Sequence, residues 1–167
     1  MSAFPEPFSF AALDACHQQI QLHLAELATL AQQIENSGIS AIAQHQANAI
    51  EIFFSGTSRR HHAEEEKHVF PLLLAEADHE LAETVRTLQQ DHGWIEENWL
   101  ELAPQLRAMA AGNNWFDAAE FQHNVEVFLT LCHQHIALEE ILIYPEAKAR
   151  SAQIATLRAK RDARVKA

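Results

Sequence analysis

A pattern of histidine, glutamate and proline occurs twice in this chain, with the same spacing in both copies. The copies are His61-x-x-x-Glu65-Glu66 followed by Pro71, and His135-x-x-x-Glu139-Glu140 followed by Pro145. In each copy the proline comes ten residues after the histidine. A repeat of this kind predicts a site with approximate two-fold symmetry, and the fold has to bring its two halves together.

Both histidines of the repeat belong to apolar helical stripes. His61 comes seven residues after Phe54, whereas His135 lies between Leu131 and Leu142. Residues four apart stack on one helix face about 6 Å apart, so each histidine and its glutamate can reach one metal ion or two adjacent ones. The alternative is that the stretch HHAEEEKH forms an exposed, salt-bridged surface. The matching flanks favour a buried site, where polar groups are costly unless they are paired or bound to metal.

The spacing of apolar residues predicts four helices, at about residues 9–36, 40–77, 79–110 and 117–149. Pro71 is expected to kink or end the second helix, and Pro104 is expected to bend the third near its end. Glycine and proline are scarce, at 4 and 5 residues. The chain is therefore predicted to be all-α, an up-down-up-down antiparallel four-helix bundle over residues 1–149 with a basic C-terminal tail over residues 150–167.

The first and third helices each offer a histidine on the apolar face. His17 lies in a stripe with Leu13 and Ile20, and His92 lies between Leu88 and Ile95. A lone histidine on such a face is usually a hydrogen-bonded core residue. Here two HxxxE motifs need further nitrogen ligands to complete two metal positions, so both histidines are candidate ligands.

The remaining histidines are predicted to lie outside the site. His62 is the closest competitor, because it stands four residues before Glu66 and so copies the spacing of the chosen pair. His61 is preferred because it alone matches His135 relative to the proline. Imidazole and carboxylate ligands together suit iron, manganese or zinc.

These motifs resemble the hemerythrin-like, or HHE cation-binding, family over about residues 9–149. The resemblance is carried by His17 in LDACHQQI, His61 and Glu65 in HHAEEEKHVFP, His92 in LQQDHGWIEENW, and His135 and Glu139 in HIALEEILIYP. It implies an up-down bundle that holds two iron ions joined by an oxo or hydroxo group, with terminal histidines and two bridging carboxylates. It also implies a small-molecule ligand at the metal site as the partner.

Two positions depart from the oxygen-carrying members of that family. Those proteins are expected to have HxxxH on the third helix, whereas this chain has Glu96 four residues after His92. Glu96 is therefore a candidate third carboxylate ligand, a hydrogen-bonding partner of His92, or a bystander beside an open coordination position. On the fourth helix both Glu139 and Glu140 are available, and symmetry with Glu65 favours Glu139.

The departure at Glu96 shifts the functional hypothesis away from reversible oxygen carriage. It favours a protein that binds or senses oxygen, nitric oxide or peroxide. The alternatives are a redox enzyme that reduces peroxide or nitric oxide or takes part in iron repair, and a metal store.

Charge and hydropathy exclude other classes of partner. Residues 148–167 hold seven of the 12 lysines and arginines but only one acid, so the rest of the chain is strongly acidic and is not expected to bind nucleic acid. No apolar run approaches the roughly 18 to 20 residues that span a bilayer, and MSAFPEPFSF lacks the features of a signal peptide. A cytoplasmic protein without a membrane partner is expected.

Overall fold

Four long helical segments make up the computed structural model, which describes residues 8–166. The first is α1 (Phe10–Ser37) and the third is α5 (His79–Ala110). The second and fourth are composite. The second segment consists of α2 (Ala41–Ser55), α3 (Thr57–Glu64), a π-helical turn (Glu65–Val69) and α4 (Phe70–Leu74). The fourth segment consists of α6 (Ala118–Leu138), a π-helical turn (Glu139–Ile143) and α7 (Tyr144–Val165). The first seven residues of the predicted domain and Ala167 of the predicted tail lie outside the described residues.

Each of the four segments begins at a residue whose side-chain oxygen accepts the backbone N–H three residues further on. These residues are Ser9, Ser40, Asp78 and Asp117. Such caps satisfy backbone donors that have no partner inside the helix. At the other end of α1, Gly38 takes a φ of 70°, a left-handed value that glycine adopts without strain. The local sequence therefore sets where the helices begin and where the first one turns.

The segments form a closed ring, because α1 packs against α2 and α6, and α5 packs against the same two helices. Connections of a few residues between neighbouring helices make them antiparallel. The predicted all-α, up-down-up-down antiparallel bundle is confirmed, and residues 8–166 contain no strand. In this described part of the chain no helix is both long and apolar enough to cross a membrane.

The core consists of two apolar clusters with a polar layer between them. The larger apolar cluster includes Leu24, Ile50, Ile95, Trp99 and Phe128, and the smaller apolar cluster includes Leu13, Phe70, Leu88, Ile143 and Tyr144. Each of the four segments passes from one cluster to the other. The buried histidines and glutamates lie where the segments cross the layer.

The two π-helical turns explain how the chain accommodates the repeated prolines. A proline has no N–H and its ring clashes with the carbonyl four residues earlier. In the wider π turn, the N–H of Phe70 bonds to the carbonyl of Glu65, and the N–H of Tyr144 bonds to that of Glu139, five residues back. The predicted disturbance near Pro71 is therefore a π turn, preceded by a break at Gly56.

The third helix ends at Ala110, as predicted, and it passes through Pro104 because the carbonyl of Leu100 that loses its partner belongs to an exposed residue. One helix end differs from the prediction. The fourth helix was expected to end near Ala149 but continues as α7 to Val165. Alanine, lysine and arginine dominate this extension, and their high helix propensity supports it although its side chains are largely exposed.

Two glycines test this account of the local structure, with effects of opposite sign. Gly38→Ala is expected to lower the free energy of unfolding by about 1 kcal/mol, because alanine is strained at positive φ. Gly93→Ala, inside α5, is expected to raise it by about 0.5–1 kcal/mol, because the added methyl group meets no atom within 4 Å. Urea unfolding followed by circular dichroism measures both. Destabilisation of the Gly93 variant would contradict the placement of Gly93 in a regular helix with free space around it.

Candidate metal centre

The polar layer brings together the six residues that the sequence motifs single out. His17 comes from α1, His61 from α3, His92 from α5 and His135 from α6, and Glu65 and Glu139 begin the two π turns. Both carboxylates are fully buried, at 0% exposure, and four imidazoles surround them. Carboxylates in such a place need compensating charge.

One group of donor atoms lies around the side chains of His17 and His61. The Nε2 atom of His61 is 3.0 Å from Oε1 of Glu65, and the Nε2 atom of His17 is 3.1 Å from Oε2 of Glu139. His17 Nε2 also lies 3.7 Å from Oε1 of Glu65. We call this set the first position.

A second group lies around His92 and His135. The Nε2 atom of His135 is 2.9 Å from Oε1 of Glu139, and the Nε2 atom of His92 is 3.2 Å from Oε2 of Glu65. Each carboxylate therefore points one oxygen at the first position and the other oxygen at this second position. Two carboxylates that each span two sets of imidazoles suit a pair of adjacent cations.

Carboxylates lie on the outer side of three of the imidazoles, and two of them form hydrogen bonds. His17 Nδ1 pairs with Glu140 Oε1 at 3.2 Å, and His92 Nδ1 pairs with Glu66 Oε1 at 2.9 Å. Asp91 Oδ2 lies 3.5 Å from His135 Nδ1 without forming a hydrogen bond. When Nδ1 carries the hydrogen that faces a carboxylate, the lone pair of Nε2 points inward, as a metal ligand requires.

The two glutamates of each motif therefore do different things. Glu65 and Glu139 enter the layer, whereas Glu66 and Glu140 each face the outer nitrogen of a histidine on a neighbouring segment. The preference for Glu139 over Glu140 at the centre agrees with this geometry.

Glu96 does not reach the centre. Its carboxylate is paired with the guanidinium of Arg59, which donates from Nε at 3.1 Å and from a second nitrogen. The outer nitrogen of His92 is taken by Glu66 instead. The structure therefore places Glu96 at the surface, held by Arg59, and does not bring its carboxylate to the polar layer or to His92.

The structure places His62 beside the polar layer, whereas the sequence predicts it outside the site. A ring nitrogen of His62 groups with donor atoms of Glu65, His92 and His135, all within 4.8 Å of one another. The His62 ring stacks on that of His92 with centroids 4.1 Å apart. Adjacent helical residues point about 100° apart, so His61 and His62 can each face one of two neighbouring positions.

Tyr144 is a further buried group at the first position. Its hydroxyl donates to Glu65 Oε1 and lies 3.1 Å from His17 Nε2. Sequence reasoning used the proline that follows Tyr144 and passed over the tyrosine itself. The available signal was that Tyr144 and Phe70 occupy the same place in the two copies of the motif.

In the metal-free site, histidines hold protons that the neighbouring carboxylates stabilise. Burial opposes the charged form of His17, but hydrogen bonds with Glu139 and Glu65 outweigh it and raise the pKa of His17 to about 9. At His61 burial is outweighed by Cys16 and Glu65, which raise its pKa to about 10. Burial acts to raise the pKa of Glu65, yet its histidine partners bring it well below its usual value. A cation that binds here has to displace these protons.

Several buried oxygen and nitrogen atoms of the centre lack a hydrogen-bonding partner among the described residues. They include Glu65 Oε2, His92 Nε2, His135 Nε2 and Glu139 Oε1, the four atoms that surround the second position. Buried polar atoms are nearly always satisfied, so unpaired atoms that converge on one point suit a bound cation. The donor set fits a cation such as iron, manganese or zinc.

Two carboxylates shared between two sets of imidazoles, at the centre of a four-helix bundle, are typical of cation-binding helical bundles. The chain belongs to the hemerythrin family, since the hemerythrin HHE cation binding domain matches residues 9–147. The family expected from the motifs is thereby confirmed, and the protein is a metal-binding protein. An uncharacterized protein of Haemophilus influenzae is 28% identical over 145 residues, which cover 86% of this chain and 81% of that protein. No solved structure gives a significant match.

Metal content tests whether the shared carboxylates hold both positions. Wild-type protein purified without chelators is expected to carry about two metal ions per chain. Glu65→Gln is expected to lose most of both, because Glu65 reaches the two positions. His133→Gln, an exposed histidine of α6, is the matched control and should keep them. Elemental analysis measures the content, and full occupancy in the Glu65 variant would refute the assignment.

The raised pKa values of His17 and His61 predict how pH affects the metal-free protein. A group whose pKa is higher in the folded state stabilises the fold below its unfolded value, here 6.5, and this contribution is lost as pH rises through the folded value. The chelated protein should therefore lose stability between about pH 6.5 and about pH 10. The metal-loaded protein should lose less, since metal replaces those protons. Urea unfolding across this range is the measurement, and a metal-free stability that rises with pH would contradict it.

Proposed function

We propose that the protein holds two iron ions in this centre and uses them, in the cytoplasm, to bind or sense oxygen, nitric oxide or peroxide. The observation that carries the proposal is the pair of buried carboxylates, each with one oxygen toward each position. His17 and His61 would serve the first position, and His62, His92 and His135 the second. Iron bound there would supply ferrous and ferric states and a coordination position for a small ligand.

The chemistry of the donors is compatible with iron. The two cation-sized groups contain imidazole nitrogens and carboxylate oxygens and no thiolate. Such ligands suit iron, whereas structural zinc sites usually include cysteine. The outer carboxylates on His17 and His92 would increase the basicity of these ligands. Manganese and zinc remain alternative occupants, and the measured metal content distinguishes them.

A small cavity lies at the centre. It measures about 10 Å³, and its polar lining includes His17, His61, His62, His135 and Glu139. Ile20, Ile95 and Ile136, which belong to the larger apolar cluster, also line it. A space of this size admits roughly one water-sized group. The space therefore excludes a larger organic substrate.

Exposure of the ferrous protein to nitric oxide, oxygen or peroxide tests the proposal. Addition of each ligand to protein prepared without oxygen is expected to change its visible absorption, compared with a sample that stays anaerobic. Ile95→Phe, which fills the apolar wall of the cavity, should slow the change while metal is retained. Ile141→Phe adds the same bulk at an exposed position and should not. The absence of any response in iron-loaded wild-type protein would reject the ligand-binding function.

The amount of ligand consumed in this experiment separates binding from catalysis. Sustained consumption of peroxide or nitric oxide in the presence of a reductant would identify a redox enzyme. A stoichiometric response alone would support binding or sensing.

A further inference from the structure

Tyr144 is the only tyrosine of the chain, and its hydroxyl lies among the donor atoms of the first position. The side chain is almost completely buried, at 1% exposure. Its oxygen is 3.1 Å from His17 Nε2 and 3.4 Å from His61 Nε2, and it donates a short hydrogen bond to Glu65 Oε1. The Tyr144 and His17 rings stack in parallel with centroids 4.8 Å apart. The phenol oxygen is therefore held against the inner atoms of three candidate ligands.

These separations suit hydrogen bonds, and they also suit atoms that share a metal ion. Two donors at right angles, each about 2.1 Å from one metal, lie about 3 Å apart. The phenol oxygen meets this condition with both imidazole nitrogens of the first position.

The second position has no counterpart to this hydroxyl among the described residues of the repeat. Tyr144 comes nine residues after His135, and Phe70 comes nine residues after His61. Both rings follow a π turn and are buried in the smaller apolar cluster. The Phe70 ring packs near His92 with centroids 5.5 Å apart, so an apolar edge stands where the other half offers an oxygen.

Tyr144 and the cavity lie on opposite sides of the layer. Tyr144 belongs to the smaller apolar cluster, whereas the cavity wall belongs to the larger one. A donor at Tyr144 therefore leaves the cavity side of the first position free for a small ligand.

We propose that Tyr144 is a fifth protein ligand of the first position and binds ferric iron there through its phenolate oxygen. Formation of the iron–oxygen bond breaks the O–H bond, the proton leaves to solvent, and no oxidation state changes. The inference rests on the proposed iron centre. Phenolate is a hard, anionic oxygen donor and so favours the ferric over the ferrous ion.

The spectrum of the ferric protein tests the proposal directly. Iron-loaded wild-type protein is expected to show a phenolate-to-iron charge-transfer band in the visible range. Raman excitation within that band should enhance tyrosine ring vibrations, and these should shift when the protein is made with ring-deuterated tyrosine. Because the chain contains a single tyrosine, the signal has one possible source.

The variant Tyr144→Phe gives the matched comparison. Phe70 occupies the equivalent place after the other π turn, so phenylalanine fits this local structure. The variant should keep about two iron ions, lose the band and the ring vibrations, and release one proton fewer on ferric loading. Iron-loaded wild-type protein without tyrosine vibrations, or an unchanged band in the variant, would overturn the inference and leave the iron centre standing. Absence of iron from the wild type would overturn both.

Discussion

The burial of two carboxylates in the middle of an apolar core is the constraint on which the rest of the structure depends. Glu65 and Glu139 have no exposed surface, and uncompensated charges in such a place would cost far more than the marginal stability of a domain. Four imidazoles from four helical segments meet these carboxylates, so the polar layer is satisfied only when all four segments are assembled. The layer thus fixes the mutual register of the helices, which the apolar clusters on either side would specify less strictly.

The prolines of the two motifs contribute to the same register. Each one widens the turn before it, and the extra residue of the π turn rotates the next stretch of helix relative to a regular one. In the fourth segment Ile143 is therefore buried and Leu142 is half exposed, whereas regular spacing from His135 places Leu142 inward. One residue of added length carries Tyr144 to the first position.

The sequence predicted the bundle and the inward residues because burial of histidine and glutamate at helical spacing has few physical explanations. It did not indicate that His62 lies near the layer as well as His61, since symmetry suggested one inward histidine per turn, whereas two adjacent positions can use two neighbouring side chains. The role of Glu96 depended on Arg59, 37 residues away, and no local pattern reveals that pairing. Tyr144 was missed because its function depends on a contact with His17, 127 residues away. Helix periodicity specifies a face, but only tertiary packing specifies which groups meet across it.

The departures from two-fold symmetry bear most directly on chemistry. Glu65 and Glu139, and Glu66 and Glu140, act as matched pairs, so the framework of the centre is symmetric. The groups that differ are His62, which faces the second position, and Tyr144, which faces the first. A neutral imidazole leaves the charge of a cation unchanged, whereas an anionic oxygen donor offsets part of it. Two cations bridged by the same carboxylates would therefore differ in redox preference because of the residues that the two copies of the motif do not share.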